Sequence, residues 1–179
     1  MKKVITALIF LFGVSGLHSQ DYLDQLMISG QFQLDAQAYK KDTIIGADEV
    51  PEELLSMGKL YLNMRLGDFS AGIRYENYMN PILGIDPLYA GNGISHRFAR
   101  YSGDEIDLTA GHFYEQFGSG MILRTYEDWL LGYDNAIDGL RVKYKPVQGI
   151  ELTGLSGKQR LFWDLGPGIV RAGDLKFTV

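Results

Sequence analysis

From Ile28 the chain alternates strictly. Ile28, Gly30, Phe32, Leu34, Ala36 and Ala38 are apolar or small, and Ser29, Gln31, Gln33, Asp35 and Gln37 between them are polar. Successive side chains of a β-strand point to opposite faces, whereas a helix needs its apolar set at three- and four-residue spacing. The period of two predicts a long strand with one apolar side. The pattern repeats around a Gly67-Asp68 turn, with Leu60, Leu62, Met64 and Leu66 before it and Phe69, Ala71, Ile73 and Tyr75 after it. That reads as a β-hairpin. A third run, from about Ile94 to Tyr101, turns at Ser102-Gly103-Asp104 and returns with Ile106, Leu108 and Ala110 on one face. A fourth hairpin pairs Leu140, Val142 and Tyr144 with Ile150 and Leu152 through a turn at Lys145-Pro146-Val147-Gln148, and a last strand is expected from near Ile169 to Val179.

Longer connections separate the hairpins at Asp42 to Ser56, Met79 to Gly93 and Gln116 to Ile137, each carrying Gly, Pro, Asn or Asp. Short turns alternating with long loops are the mark of up-and-down membrane barrels, whose strands run about 9 to 11 residues. Thr125 and Asp128 are spaced as a capping box, which suggests a short helix carrying Trp129, Leu130 and Leu131.

The N-terminus fixes the expected compartment. Met1, Lys2 and Lys3 precede an uncharged apolar run from Val4 to Leu17, and Leu17-His18-Ser19-Gln20 before Asp21 reads as a processing region. The run is shorter than the ~18 to 20 residues of a spanning helix. The expected division is a signal peptide over 1–20 and a mature domain over 21–179. With no cysteine, the chain has neither a lipobox to acylate nor disulfides nor thiolate metal ligands. A net charge of -5 argues against nucleic acid, whose phosphates need a basic stripe.

Alternation alone does not say which face meets water, since a soluble sheet buries its apolar side and a membrane barrel its polar side. Three cues favour the membrane. The apolar faces read as uncharged and rich in small residues, several strands run long, and Tyr39, Tyr78, Tyr101, Phe113, Tyr114, Phe162 and Trp163 stand near strand ends, as an interfacial girdle would. The expected fold is therefore all-β, an antiparallel up-and-down transmembrane β-barrel of about eight strands, as the N-terminal part of a larger barrel. Its lumen-facing charges would be Asp35, Lys59, Arg65, Arg74, Glu76, Asp107, Arg141, Lys143 and Glu151. Charges of both signs would either pair across a narrow barrel or line a wide polar channel.

The run Ala110-Gly111-His112-Phe113-Tyr114-Glu115-Gln116-Phe117-Gly118-Ser119-Gly120 resembles an uncharacterised family of outer-membrane β-barrel proteins from Bacteroidota-type envelopes. Leu123 to Glu127, Gly132 to Asn135, Asp138 to Tyr144, Gly157 to Arg160 and Gly166 to Arg171 extend the likeness over nearly the whole mature chain. The resemblance implies an outer-membrane location and no known chemistry, in members considerably longer than this chain. More distantly, Gly111 through Gly120 to Asp138-Gly139-Leu140-Arg141 is similar to the strand-loop-strand of alginate-export-type porins, which implies a pore.

Enzymatic and cofactor readings find little in the residues. His112 and Glu115, three apart on a strand, would point to opposite faces and not chelate one ion. Gly118-Ser119-Gly120 lacks the nucleophile-elbow pattern and the third glycine of a dinucleotide loop. In the run from Asp134 through Asp138-Gly139, Ala136 and Lys145 stand where a calcium loop needs oxygen ligands. The expectation is a non-enzymatic protein without cofactor or metal, in contact with outer-membrane lipid. A porin-like channel for a polar solute ranks first. A non-conducting scaffold or receptor meeting envelope proteins through its long loops, and a soluble secreted or periplasmic β-protein, follow.

Overall fold

The computed structural model describes residues 25–129 and 131–178. The signal-peptide expectation over 1–20 lies outside the described residues. The described residues form ten strands: β1 (Met27–Ala38), β2 (Leu54–Leu66), β3 (Phe69–Asn80), β4 (Gly91–Ser102), β5 (Ile106–Phe113), β6 (Glu127–Asp128), β7 (Tyr133–Asp134), β8 (Ile137–Val147), β9 (Ile150–Leu161) and β10 (Asp164–Phe177). Eight make one antiparallel meander in the order β1-β2-β3-β4-β5-β8-β9-β10, and β6 and β7 pair separately inside the β5–β8 connection. The protein is all-β, and the eight-strand count matches the alternation. The main sheet is open among the described residues, because β1 and β10 are not hydrogen-bonded to each other.

Three tight turns, at 67–68, 103–105 and 148–149, lie on one rim, and the loops 39–53, 81–90 and 114–136 lie on the other. Gly67 (φ 54°) and Gly149 (φ 86°) allow two-residue turns that follow the strand twist. The freedom at Gly149 moves the fourth turn from the expected 145–148 to 148–149, and β8 continues past Pro146 with a register shift between Tyr144 and Val147. The last strand starts at Asp164 rather than Ile169. A register shift between Leu165 and Ile169 breaks the alternation and hides the first part of β10 in the sequence. The helix expected after Thr125 does not form among the described residues, outside which Leu130 lies. Glu127–Asp128 is a strand, Thr125 accepts at Oγ1 from the Glu115 N–H (2.8 Å), and its own N–H donates to the Glu115 carbonyl (2.9 Å). Cross-chain pairing there satisfies the backbone that a helix would have satisfied locally.

The burial of the two faces is inverted relative to a water-soluble sheet. Leu62, Met64, Ile73, Leu140 and Leu152 are exposed, whereas Lys59, Arg74 and Glu76 on the opposite face of β2 and β3 are 3%, 4% and 1% exposed. The sheet curls so that this polar face is concave. Arg160 of β9 reaches Glu76 of β3 at 3.1 Å, although three strands separate β3 from β9 in the sheet. We call the concave face inward and the other outward.

Close packing within the sheet depends on glycines that face backbone across β5, β8 and β9. Gly139 and Gly157 stand opposite each other in β8 and β9, and a Cβ at Gly139 would lie 2.1 Å from the Ser156 carbonyl oxygen. Gly139→Ala is expected to destabilise by about 1–3 kcal/mol through overpacking against backbone that has no rotamer to yield. Denaturant unfolding checks this against Gly154→Ala, where nothing lies within 4 Å. Equal costs at the two sites would contradict it.

Candidate functional site

The loop 114–136 folds into the concavity instead of projecting from the rim, and charge holds it there. Glu127, on the β6–β7 hairpin, accepts from Lys59 Nζ of β2 (2.7 Å) and from Arg74 Nη1 of β3 (2.6 Å). Asp134 takes both Arg74 and Arg160 through one oxygen, and its other oxygen accepts from the Tyr114 hydroxyl (3.0 Å) and the Ala136 N–H (3.1 Å). Glu76 closes the set, 2.8 Å from Arg74 and 3.1 Å from Arg160. Lys59, Arg74 and Arg160 thus face Glu76, Glu127 and Asp134, so the cluster is neutral. Buried charges are tolerable only when paired and hydrogen-bonded in this way. Carboxylate oxygens of Glu76, Glu127 and Asp134 lie within 4.8 Å of one another, close enough for a cation. Each is already bonded to one or more of the three basic side chains, which supply the positive charge a metal would bring.

An aromatic seal covers this cluster towards the long-loop rim. Met57, Tyr78, Ile85 and Tyr89 are buried together, with Trp129, Phe162 and Trp163 packed against them. Trp163 Nε1 donates to the Tyr89 carbonyl (2.8 Å), and Lys59 Nζ sits 3.2 Å from the centroid of Trp129, a cation–π contact. A second apolar group, Phe113, Phe117, Ile137 and Leu155, anchors the first part of the same loop. The girdle expected from strand-end aromatics is therefore corrected: Tyr78, Phe113, Phe162 and Trp163 face inward or seal the interior, and Tyr114 serves Asp134. Outward aromatics do occur nearer the tight turns, where Phe69 and Tyr101 pack at 5.0 Å and Tyr144 and Phe177 are exposed.

Of the nine charges expected on the inner face, Lys59, Arg74 and Glu76 join the central cluster. Asp107, Arg141 and Lys143 form a second one with Glu115 and Arg100. Arg141 lies 3.2 Å from Glu115 and 3.3 Å from Asp107, Lys143 lies 2.9 Å from Glu115, and Arg100 Nε donates to Asp107 (2.9 Å). Glu151 sits apart near the tight turns, between Lys145 (3.9 Å) and Lys176 (3.4 Å). Two residues stay outside the clusters. Asp35, on edge strand β1, accepts from Gln33 (3.0 Å), and the exposed Arg65 donates to the Gly67 carbonyl (3.3 Å). Arg160 and Glu127 escaped the sequence reading as inner charges, and Asp134 enters it only as the start of a rejected calcium loop. Arg160 lies beyond the regular part of β9, and the two carboxylates sit in a loop where period-two reasoning has no purchase. His112, weighed above with Glu115, is buried with its ring 5.2 Å from that of His96, away from the Glu115 ion pairs.

Burial works against the charged form of Asp134, yet the Arg160 and Arg74 guanidiniums outweigh it and hold its carboxyl below the ordinary 3.8. Burial, and then Asp134, push the Tyr114 hydroxyl up, so it stays protonated as a donor. A carboxyl depressed in the folded state contributes stability that is present above its ordinary value and lost as pH falls through the lower folded value. The loop 114–136 is thus expected to resist protease equally at pH 8 and pH 5, and to loosen only below about pH 4. Loosening already between pH 7 and 5 would assign the latch to another group.

Residues 1–179 match a protein-family model described as a family of unknown function (DUF6029). No curated protein matches the chain.

Proposed function

We propose, for a chain that belongs to the DUF6029 family of unknown function, a role as the wall of an outer-membrane β-barrel that forms a porin-like passage for a polar solute. The inverted burial carries this reading. Lys59, Arg74, Glu76 and Arg160 are buried in ion pairs on the concave side while Leu62, Met64, Ile73, Leu140 and Leu152 stand exposed on the outward face, the arrangement lipid requires and water penalises. The export signal expected at 1–20 is consistent with that location. In lipid every backbone N–H and C=O must be paired. The free edges of β1 and β10 would therefore be joined to each other or through further strands, as in a larger barrel. The inward loop 114–136 would then narrow the passage, with Glu127 and Asp134 fixed against the wall.

The same loop favours a second reading, a non-conducting barrel that presents loops 39–53 and 81–90 to a protein partner as scaffold or receptor. Planar-bilayer conductance of the full-length protein separates the two. Discrete ion-conducting steps are expected, and a protein that inserts yet stays closed at every potential would replace the channel with the scaffold. A protein that remains in the aqueous fraction without detergent would remove both.

A further inference from the structure

A fourth short turn stands on the long-loop rim. It joins β9 to β10 through Phe162-Trp163, and Phe162 (φ 54°) is the one non-glycine among the described residues with a positive φ. Two-residue hairpin turns place glycine in that backbone region, because a β-carbon there crowds the chain. A phenylalanine held in it costs energy, and such strain collects where a side chain must be aimed at a site. Here the aim is enforced from three sides. Arg160 Nε donates to the Phe162 carbonyl (2.7 Å), the Phe162 ring meets that of Tyr89 edge-on at 4.9 Å, and the Trp163 ring lies over Gly91 and Gly93 of β4.

Phe162 forms part of the wall of a cavity of about 500 Å³, a volume usual for small-molecule sites. Tyr89 and Tyr133 add aromatic lining, and Asp86, Asn135 and Gln159 add polar groups. Asp134 and Arg160 border it too, but they are bonded to each other in the neutral central cluster and bring no uncompensated charge. Three groups of the lining have hydrogen-bonding capacity left over. Gln159 is the register partner of the fully buried Ile137, which turns its side chain to the concave side, and among the described residues its amide has no hydrogen-bond partner. The Tyr133 hydroxyl accepts from Asn135 Nδ2 (3.0 Å) and keeps its own proton. Asp86 spends Oδ1 on the Leu88 N–H (2.9 Å), capping the 3-10 turn Pro87–Tyr89, and keeps Oδ2. An anion would meet the Asp86 carboxylate, and a cation would meet Arg160. A neutral polyhydroxylated molecule meets neither penalty: its C–H faces pack on aromatic rings, and its hydroxyls donate to Asp86 and accept from Gln159 and Tyr133.

We propose that this pocket binds a neutral saccharide at the long-loop mouth, with a sugar ring against Phe162 and Tyr133 and its hydroxyls on Gln159 and Asp86. The assignment rests on the barrel reading and names the class of its polar solute. Full-length protein in lauryldimethylamine oxide, a detergent without sugar, is titrated with maltotriose, cellotriose and xylotriose, and with choline and trilysine as charged controls. Calorimetry and tryptophan fluorescence read the binding. At least one trisaccharide should bind saturably and both controls should not. Gln159→Leu, which keeps the bulk and removes the amide, and Tyr133→Ala should each weaken binding on the order of fivefold. Tyr144→Ala, an exposed outward ring near the tight turns, should leave it unchanged. Absence of saturable binding by all three saccharides would overturn the site, as would undiminished binding in folded Gln159→Leu and Tyr133→Ala variants or tighter binding of either control. A protein that binds the saccharide yet stays closed in planar bilayers keeps the pocket as a receptor site and removes the passage. Conductance without saccharide binding removes the pocket alone.

Discussion

Asp134→Ala is expected to cost on the order of 3–5 kcal/mol, because it leaves two guanidiniums buried without their shared carboxylate. Arg74 and Arg160 both bond to Asp134, and both are less than a tenth exposed, so water cannot take its place. The same change removes the acceptor of the Tyr114 hydroxyl and of the Ala136 N–H, so both ends of loop 114–136 lose an anchor. Asp134→Asn keeps an oxygen acceptor and should cost less. Denaturant unfolding in micelles gives the energy, and protease sensitivity within 114–136 reports the loop. A cost below about 1 kcal/mol, the range of an exposed pair, would mean that the cluster is solvated and the loop is held by its aromatics alone.

Leu62→Arg should cost about 2–4 kcal/mol in a bilayer, the range for a cation placed outward at mid-depth. Leu62 lies mid-strand in β2, exposed on the convex face, and its register partners are Gly30 and Ile73. A polar replacement at Asn63, the adjacent position on the concave face, should be mild. Folding of both variants into phosphatidylcholine vesicles reads the difference. The reverse order would mean that the convex face does not meet lipid. Because the comparison is between neighbours on one strand, changes in strand propensity largely cancel.

Legibility in the sequence tracked how local the physical cause was. Ile28 to Ala38 and the hairpin around Gly67-Asp68 were readable because pleating imposes a period of two on adjacent residues. The same rule placed Lys59, Arg74, Glu76 and Arg141 on one face, where the structure buries them. It failed at Leu165 to Ile169, where a register shift breaks the period, and in 114–136, where no period exists. The aromatics misled for a related reason. A position near a strand end states depth along the sheet but not side, so Tyr78 and Trp163 looked like a girdle while they seal the interior.

Alternation, turn residues and the absence of cysteine were enough to determine an all-β antiparallel meander held by backbone pairing and packing, with one polar and one apolar face. Those properties follow from each residue and its neighbours. Which face is enclosed, that loop 114–136 turns inward, and that Lys59, Arg74 and Arg160 meet Glu76, Glu127 and Asp134 were decided only by curvature. These six residues come from β2, β3, β6, β7 and β9, up to 101 positions apart in the chain. Their attraction acts through space, and only the curl of the sheet brings them within its reach.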